Sequence, residues 1–163
     1  LERADVMLTA LDVDAARLAR VQENLDRLQL QATLITGDAA QPDTWWDGKP
    51  FDRILADVPC SASGVVRRNP DIKWLRRPED IAQFAAQQAV MLERLWPLLA
   101  PGGTLLYATC SIFNQENDGQ VRAFLVRHAQ DAKRCSLPET LSDGSLLPDA
   151  EHDGFFYALL RKT

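Results

Sequence analysis

The sequence predicts an α/β fold built on a doubly wound, mostly parallel sheet. Short apolar runs alternate with amphipathic segments whose apolar residues recur every three or four positions, which is the pattern of strands alternating with helices. Three of the apolar runs lead into an aspartate, and two lead into a cysteine. Such side chains at strand ends are typical of this class, because its ligands bind at the carboxyl ends of the strands.

The first half of the chain begins with a strand over residues 6–13, followed by a helix over residues 15–30 with Asp14 near its N-cap. That helix is supported by an apolar stripe at helical spacing, formed by Leu18, Val21, Leu25 and Leu28. A second strand follows over residues 32–36. Residues 41–50, with their Pro, Asp and Gly, predict a loop.

The second half begins with a strand over residues 51–58 and a polar loop over residues 61–77. Pro78 opens a helix whose apolar stripe reaches Leu99, and Pro101-Gly102-Gly103 ends it. The remaining predicted elements are a strand over residues 104–109, a helix over residues 118–129, a loop that holds Cys135, and a last strand over residues 155–160.

The composition predicts one soluble domain with a single core, since the chain has 163 residues. Charged residues make up 25% and no long uncharged apolar stretch occurs, so we expect no membrane span. Three cysteines without a CxxC pair, and two histidines without a ligand partner, argue against a disulfide framework and against a metal site. Free thiols favour a reducing, cytoplasmic location.

A basic segment interrupts a chain whose net charge is −5. It consists of Arg67, Arg68, Lys73, Arg76 and Arg77, with the aromatic Trp74 among them. Cations that hold a phosphate backbone, beside a flat ring that stacks on a base, predict a local contact with nucleic acid. The composition alone also fits, and slightly favours, a solvated loop with ordinary charges.

Two cysteines stand at the ends of predicted strands, in Asp57-Val58-Pro59-Cys60-Ser61 and in Tyr107-Ala108-Thr109-Cys110-Ser111. The cysteine thiolate is the most readily available side-chain nucleophile at neutral pH, so two thiols at one edge of the sheet indicate covalent chemistry. Free cysteine is also among the most buried residue types. On the cysteines alone, two small core residues are an alternative of equal weight.

Three aspartates end successive strands: Asp12, Asp38 and Asp57. Carboxylates at neighbouring strand ends would line one crevice and accept hydrogen bonds from a vicinal diol or an exocyclic amine. Asp12 is similar to the acidic residue that takes a ribose hydroxyl in nucleotide-binding folds. Together the three favour a nucleoside-bearing cofactor, although each alone also fits a helix cap or a turn.

The paired cysteine motifs resemble the catalytic domain of the RNA cytosine-5 methyltransferases, which use S-adenosylmethionine. The run GVVRRNPDIKWLRR, from Gly64 to Arg77, looks like that of the bacterial members that methylate small-subunit ribosomal RNA. The resemblance extends from about Leu8 to Ala158. It implies a Rossmann-like class I methyltransferase sheet with an antiparallel C-terminal strand.

The resemblance also implies roles for individual residues. Asp12 would bind the ribose hydroxyls of S-adenosylmethionine, Asp38 its adenine side, and Asp57 its methionine end or the target cytosine. Cys110 would attack carbon 6 of the cytosine, and Cys60 would be, or assist, the base that allows product release. The basic segment would contact ribosomal RNA, whose target base must leave any stack to reach the thiols.

The chain departs from the family pattern at its start. The family carries a glycine-rich cofactor loop, Ala-Pro-Gly-Gly-Lys, on a strand before the stretch that corresponds to Val6. We therefore expect residues 1–163 to form a single partial domain that lacks this strand, its loop and any RNA-binding domain, and that is inactive alone. Open sheet edges in such a fragment predict self-association. A smaller departure is Asn114-Gln115-Glu116-Asn117, where the family usually has Pro-Glu-Glu-Asn.

Two other functions remain open at this point. A non-catalytic RNA-binding or assembly module would use the basic segment without methyl transfer. An amino-methyltransferase of the Asp-Pro-Pro-Tyr type would need an aromatic residue where Cys60 stands, and it gives Cys110 no role. The choice of nucleophile is open as well, because DNA cytosine-5 methyltransferases use the Pro-Cys position, which here is Cys60.

Overall fold

A computed structural model of the chain describes residues 6–138, 141 and 143–163. The chain divides into two compact units, the first ending at Lys49 and the second running from Pro50 to Thr163. The prediction that the chain forms one domain stays a prediction. In the described part of the chain, no helix has the length and apolar character needed to cross a membrane.

The first unit is a strand, a helix and a strand in that order: β1 (Thr9–Asp12), α1 (Ala15–Leu28) and β2 (Thr33–Thr36). The two strands pair in parallel. Asp14 caps α1 by accepting a hydrogen bond from the Ala16 N–H, as its side chain predicts. The three predicted elements are thus confirmed, with shorter bounds for each of them.

The second unit contains five strands and three helices in its described part. These are β3 (Phe51–Asp57), α2 (Ile72–Leu75), α3 (Pro78–Leu95), β4 (Leu99–Thr109), α4 (Asp118–Arg127), β5 (Ala132–Cys135), β6 (Ser145–Leu146) and β7 (Phe155–Lys162). The main strand order is β3-β4-β7-β5, with β6 also paired to β7. The helix-connected strands β3 and β4 are parallel, and every antiparallel pairing in this unit involves β7. The α/β class and the antiparallel C-terminal strand are confirmed.

Two local expectations were wrong. The loop over residues 61–77 contains the short helix α2 and a 3-10 turn at Ser63–Val65. Residues 101–103 do not end a helix, because α3 stops at Leu95 and β4 already begins at Leu99. The start of β4 is irregular: the pairing register shifts between Phe51 and Arg53, and Gly102 has a φ of +78°.

The strand β5 was also not predicted, since its four residues include two cations that hide the apolar pattern of a strand. Arg134 has specific partners in the fold. Its guanidinium forms an ion pair with Asp118 at 2.6 Å and lies over the ring of Phe156. A cation in a strand is therefore compatible with packing when a carboxylate and an aromatic face stand next to it.

The core of the second unit lies between the sheet and the packed helices α3 and α4. Trp96 meets Phe124 edge to face with ring centroids 5.2 Å apart, and Tyr107 meets Phe156 in the same way at 6.4 Å. The large side chains that are fully buried include Trp96, Tyr107, Phe124, Phe156, Leu92, Leu105 and Leu160. This core fixes β4, and with it the strand end that carries Cys110.

Candidate active site

The two cysteines meet because they follow neighbouring parallel strands. Asp57, the last residue of β3, is paired with Ala108 of β4, so Cys60 and Cys110 leave the sheet at the same edge. Their sulfur atoms are 3.4 Å apart, within hydrogen-bond distance for thiols. Both side chains are half-buried. We call these two cysteines and the serines that follow them the thiol site.

The contact between the sulfur atoms makes the two thiols unequal. The hydrogen bond from Cys60 lowers the pKa of Cys110 to about 7, against the opposing effects of burial and of the negative charges of Asp57 and Glu116. The same hydrogen bond, together with burial, raises the pKa of Cys60 well above its ordinary value. At neutral pH a large part of Cys110 is therefore a thiolate, which accepts a hydrogen bond from the protonated Cys60.

Two glycines allow the loop after Cys60 to close against Cys110. The Gly64 N–H donates to the Cys110 carbonyl at 2.8 Å, and the Gly154 N–H donates to the Gly64 carbonyl at 2.8 Å. A Cβ atom on Gly64 would lie 2.1 Å from the Gly154 carbonyl oxygen. No other residue fits there without moving backbone, and the loop before β7 is thereby tied to the loop after β3.

A network of buried hydroxyl groups surrounds the thiol site. Ser61 and Ser111, the residues directly after the two cysteines, are each 1% exposed, and their Oγ atoms are 3.2 Å apart. Both donate to the carboxylate of Glu116, which is fully buried. Ser63 Oγ lies 3.2 Å from Ser111 Oγ and accepts the Ile112 N–H at 3.0 Å.

Glu116 is further held by the core on both sides. Its backbone carbonyl accepts the Tyr107 hydroxyl at 2.6 Å, and burial followed by the nearby Glu116 charge raises the pKa of that tyrosine. Gln88 of α3 donates to the Pro59 carbonyl at 2.9 Å and to Glu116 Oε1 at 3.2 Å. The backbone just before Cys60 is thus linked to the same carboxylate.

The predicted cofactor residues Asp12 and Asp38 belong to the first unit, where β1 and β2 end side by side. Asp12 Oδ1 accepts the Asp14 N–H at 2.8 Å, and its other oxygen lies 3.3 Å from Arg17. Asp38 Oδ1 accepts the Ala40 N–H at 2.8 Å. A carboxylate offers about four acceptor positions, so both keep capacity for a hydroxyl or an amine. We call these two aspartates the carboxylate edge; their chemistry fits the ribose and adenine groups of S-adenosylmethionine.

All members of the basic segment are exposed, but three of its arginines also have partners in the fold. Arg67 and Arg68 form ion pairs with Asp153, which is only 7% exposed. Arg76 donates to the Ser61 carbonyl at 3.0 Å and lies over the ring of Phe84.

The other three members of the basic segment are exposed as well: Lys73, Trp74 and Arg77. Trp74 is 80% exposed, and the Lys73 ammonium lies 5.0 Å from the centre of its ring. This pair on the short helix α2 is accessible to a nucleic acid.

Several residues of the site had no role assigned from the sequence. Glu116, Gln88 and Gly154 reach the thiol site from positions 28 to 94 residues away from Cys60 in the chain. Glu116 keeps a glutamate of the family's Pro-Glu-Glu-Asn run, although the two residues before it depart from that run, and Gly154 lies within the stretch that the resemblance covers. Among the described residues, no group of three or more His, Cys, Asp or Glu side chains is placed to hold a metal ion.

The fold and the thiol site together define a class I methyltransferase domain. The family model for the 16S rRNA methyltransferases RsmB/F matches residues 1–161. The chain belongs to this family. It is 55% identical to ribosomal RNA small subunit methyltransferase B of Shewanella oneidensis and 52% identical to that of Vibrio cholerae. These matches cover 97% and 99% of the chain, but the chain spans only about 38% of the length of either relative.

Solved structures show the same arrangement. A methyltransferase homologue from Pyrococcus horikoshii matches 98% of this chain and 54% of its own, with a TM-score of 0.80 and 29% identity. The structure of NSun6 from Pyrococcus horikoshii with SFG matches 96% of this chain and 41% of its own, with a TM-score of 0.78 and 30% identity. Both structures are thus similar to this chain in sequence as well as in fold.

Proposed function

We propose that the full-length protein methylates carbon 5 of a cytosine in small-subunit ribosomal RNA, with S-adenosylmethionine as methyl donor and Cys110 as covalent nucleophile. The observation that carries this proposal is the pair of thiols 3.4 Å apart, in which Cys110 has the lowered pKa. Membership of the RsmB/F family supports the substrate. A cytoplasmic location follows as part of the proposal, since ribosomal RNA is the substrate and the described cysteines are free.

The Cys110 thiolate begins the reaction by adding to carbon 6 of the cytosine. A carbon–sulfur bond forms, and the electron pair of the ring double bond moves to carbon 5, which becomes nucleophilic. S-adenosylmethionine, when bound, supplies an electrophilic methyl group on a sulfonium centre. Asp57, exposed at the end of β3, holds the methionine end of the cofactor or the exocyclic amine of the cytosine.

Cys60 then acts in product release. Once Cys110 is bonded to carbon, Cys60 no longer faces a thiolate, so it loses its own proton to solvent more easily. Its sulfur takes the proton from carbon 5, the carbon–sulfur bond breaks, and the electron pair returns to Cys110. The end state is again a Cys60 thiol donating to a Cys110 thiolate, which stabilises the leaving group.

The remaining predicted residues bind the two substrates. Asp12 accepts hydrogen bonds from the ribose hydroxyls of S-adenosylmethionine, and Asp38 binds its adenine side. The exposed pair Lys73 and Trp74 supports contact with RNA through charge and stacking, together with Arg77. Self-association through open sheet edges stays a prediction, as does the view of residues 1–163 as a partial domain.

The test uses the full-length gene product with small-subunit ribosomal RNA and S-adenosylmethionine. We expect Cys60→Ala to accumulate a protein–RNA adduct that survives a denaturing gel, because release is blocked. Cys110→Ser should form no adduct and transfer no methyl group. Cys135→Ser, a change in β5, is the matched control and should transfer methyl groups as the wild type does.

Two outcomes would contradict the proposal. An adduct in Cys110→Ser but not in Cys60→Ala would exchange the roles of the two cysteines. RNA binding that depends on Lys73 and Trp74, without methyl transfer by the wild-type protein, would instead indicate a non-catalytic RNA-binding module.

A further inference from the structure

We propose that Glu116 is a positioning residue: its buried carboxylate fixes the two loops of the thiol site so that Cys60 and Cys110 touch. The proposal deepens the proposed function and rests on it for its biological meaning. The contacts that carry it lie within the second unit and involve neither cofactor nor RNA.

The carboxylate joins the two loops directly. Glu116 Oε2 accepts the Ser61 hydroxyl at 2.6 Å and the Ser111 hydroxyl at 2.5 Å. Glu116 Oε1 accepts the Ser61 N–H at 2.8 Å. One side chain thus holds the residue after Cys60 by two bonds and the residue after Cys110 by a third, at the edge of the sheet where both parallel strands end.

The cost of burying this carboxylate indicates a specific role. Glu116 is fully buried, and no cation lies within ion-pair distance of it among the residues that the structure describes. An ionised group in such a place is stabilised only by hydrogen bonds, which here come from Ser61, Ser111 and Gln88. A neutral side chain would pack there at lower cost but would accept fewer hydrogen bonds.

Glu116 affects the pKa of Cys110 in two opposite ways, through its negative charge and through the position in which it holds the loops. By its negative charge, Glu116 opposes ionisation of Cys110, as does the exposed Asp57. By holding the loops, Glu116 preserves the Cys60 hydrogen bond, which is the largest cause of the lowered pKa of Cys110. Removing the carboxylate therefore distinguishes the two effects. Loss of the negative charge alone would lower the pKa of Cys110, whereas loss of the positioning would raise it.

The experiment measures alkylation of Cys110 by iodoacetamide as a function of pH, with peptide mass spectrometry as the readout. For the full-length protein, the midpoint of the wild-type profile should lie near the pKa of about 7. We expect Glu116→Gln to move the midpoint upward by about one pH unit, so that alkylation at pH 7 slows roughly fivefold. A downward or absent shift would overturn the proposal, since charge alone predicts a fall.

Two further variants complete the test. Asp131→Asn removes a carboxylate of the same unit that accepts the Trp96 N–H at 2.9 Å, away from the thiols, and should leave the profile unchanged. If circular dichroism shows that Glu116→Gln does not fold, Ser111→Ala decides: a smaller upward shift supports the proposal, and an unchanged profile overturns it.

The alkylation profile needs neither S-adenosylmethionine nor RNA, which separates this proposal from the proposed function. An upward shift in Glu116→Gln, in a protein that transfers no methyl group to ribosomal RNA, would retain the positioning role and reject the function. Methyl transfer by the wild type, with an unchanged alkylation profile in Glu116→Gln, would retain the proposed function and reject the positioning role.

Discussion

The thiol site and the carboxylate edge are held by two different kinds of contact. Cys60 meets Cys110 across 50 residues of chain, and Ser61 meets Glu116 across 55. At the carboxylate edge, Asp12 and Asp38 accept hydrogen bonds from N–H groups only two residues away. The geometry of the thiols therefore depends on the packing of the whole second unit, whereas each aspartate depends on a local turn.

The largest expected effect tests the close packing beneath the thiols. Gly64→Ala would place a Cβ 2.1 Å from the Gly154 carbonyl oxygen, so backbone must move, and we expect a loss of about 3 kcal/mol in the free energy of unfolding. Gly37→Ala, in the first unit, would meet the side chains of Trp45 and Leu11, which can shift, at a cost of about 1 kcal/mol. Urea unfolding followed by circular dichroism compares the two variants. Equal losses of stability would contradict the view that the thiol site is the more tightly packed of the two regions.

The next effect concerns the core below Glu116. Tyr107→Phe removes the hydroxyl that donates to the Glu116 carbonyl at 2.6 Å and leaves that buried acceptor unpaired. We expect a loss of about 1–2 kcal/mol in urea unfolding. The control Tyr157→Phe changes a half-buried tyrosine of β7 outside this network and should stay within about 0.5 kcal/mol of the wild type.

A smaller effect separates the two parts of the basic segment. Arg68→Gln removes one partner of the buried Asp153, while Arg67 remains 3.7 Å away, so we expect a loss of about 1 kcal/mol in unfolding. Lys73→Gln should leave unfolding unchanged and weaken binding of a ribosomal RNA fragment in a filter-binding assay. If Arg68→Gln weakened RNA binding and Lys73→Gln did not, the assignment of Arg68 to stability and of Lys73 to RNA binding would be wrong.

The smallest expected effect on the fold is at the carboxylate edge. Asp12→Asn should change the free energy of unfolding by less than about 0.5 kcal/mol, because its ion-pair partner Arg17 is 61% exposed and asparagine can still accept the Asp14 N–H. By the proposed function, its Kd for S-adenosylmethionine should rise about tenfold in titration calorimetry of the full-length protein. A large loss of stability would show that the edge, like the thiol site, is built from long-range contacts.

The sequence predicted those features that depend on local pattern. The capped helix α1, the strands that end at Asp12 and Asp57, and the placement of both cysteines at strand ends all follow from periodicity and short motifs. Even the meeting of Cys60 and Cys110 could be expected, because neighbouring parallel strands end at one edge of a sheet.

The sequence could not predict which distant side chains complete the site. Nothing in the pattern around Glu116 shows that its carboxylate is buried between two serines, and nothing around Asp153 shows that it pairs with Arg68. The strand β5 was missed for a similar reason, since the charge of Arg134 is compensated only after Asp118 is packed beside it. These contacts exist only once tertiary packing has formed.

The place of β7 in the sheet determines when the thiols can meet. β7 comes last among the described strands, yet it lies between β4 and β5, and the described strands β5 and β6 pair with it alone. During synthesis this sheet stays incomplete until residues 155–162 have left the ribosome, together with Gly154, which closes the loop next to Cys110. We therefore expect a nascent chain to carry two ordinary thiols, and the reactive thiolate to arise only when translation has passed β7.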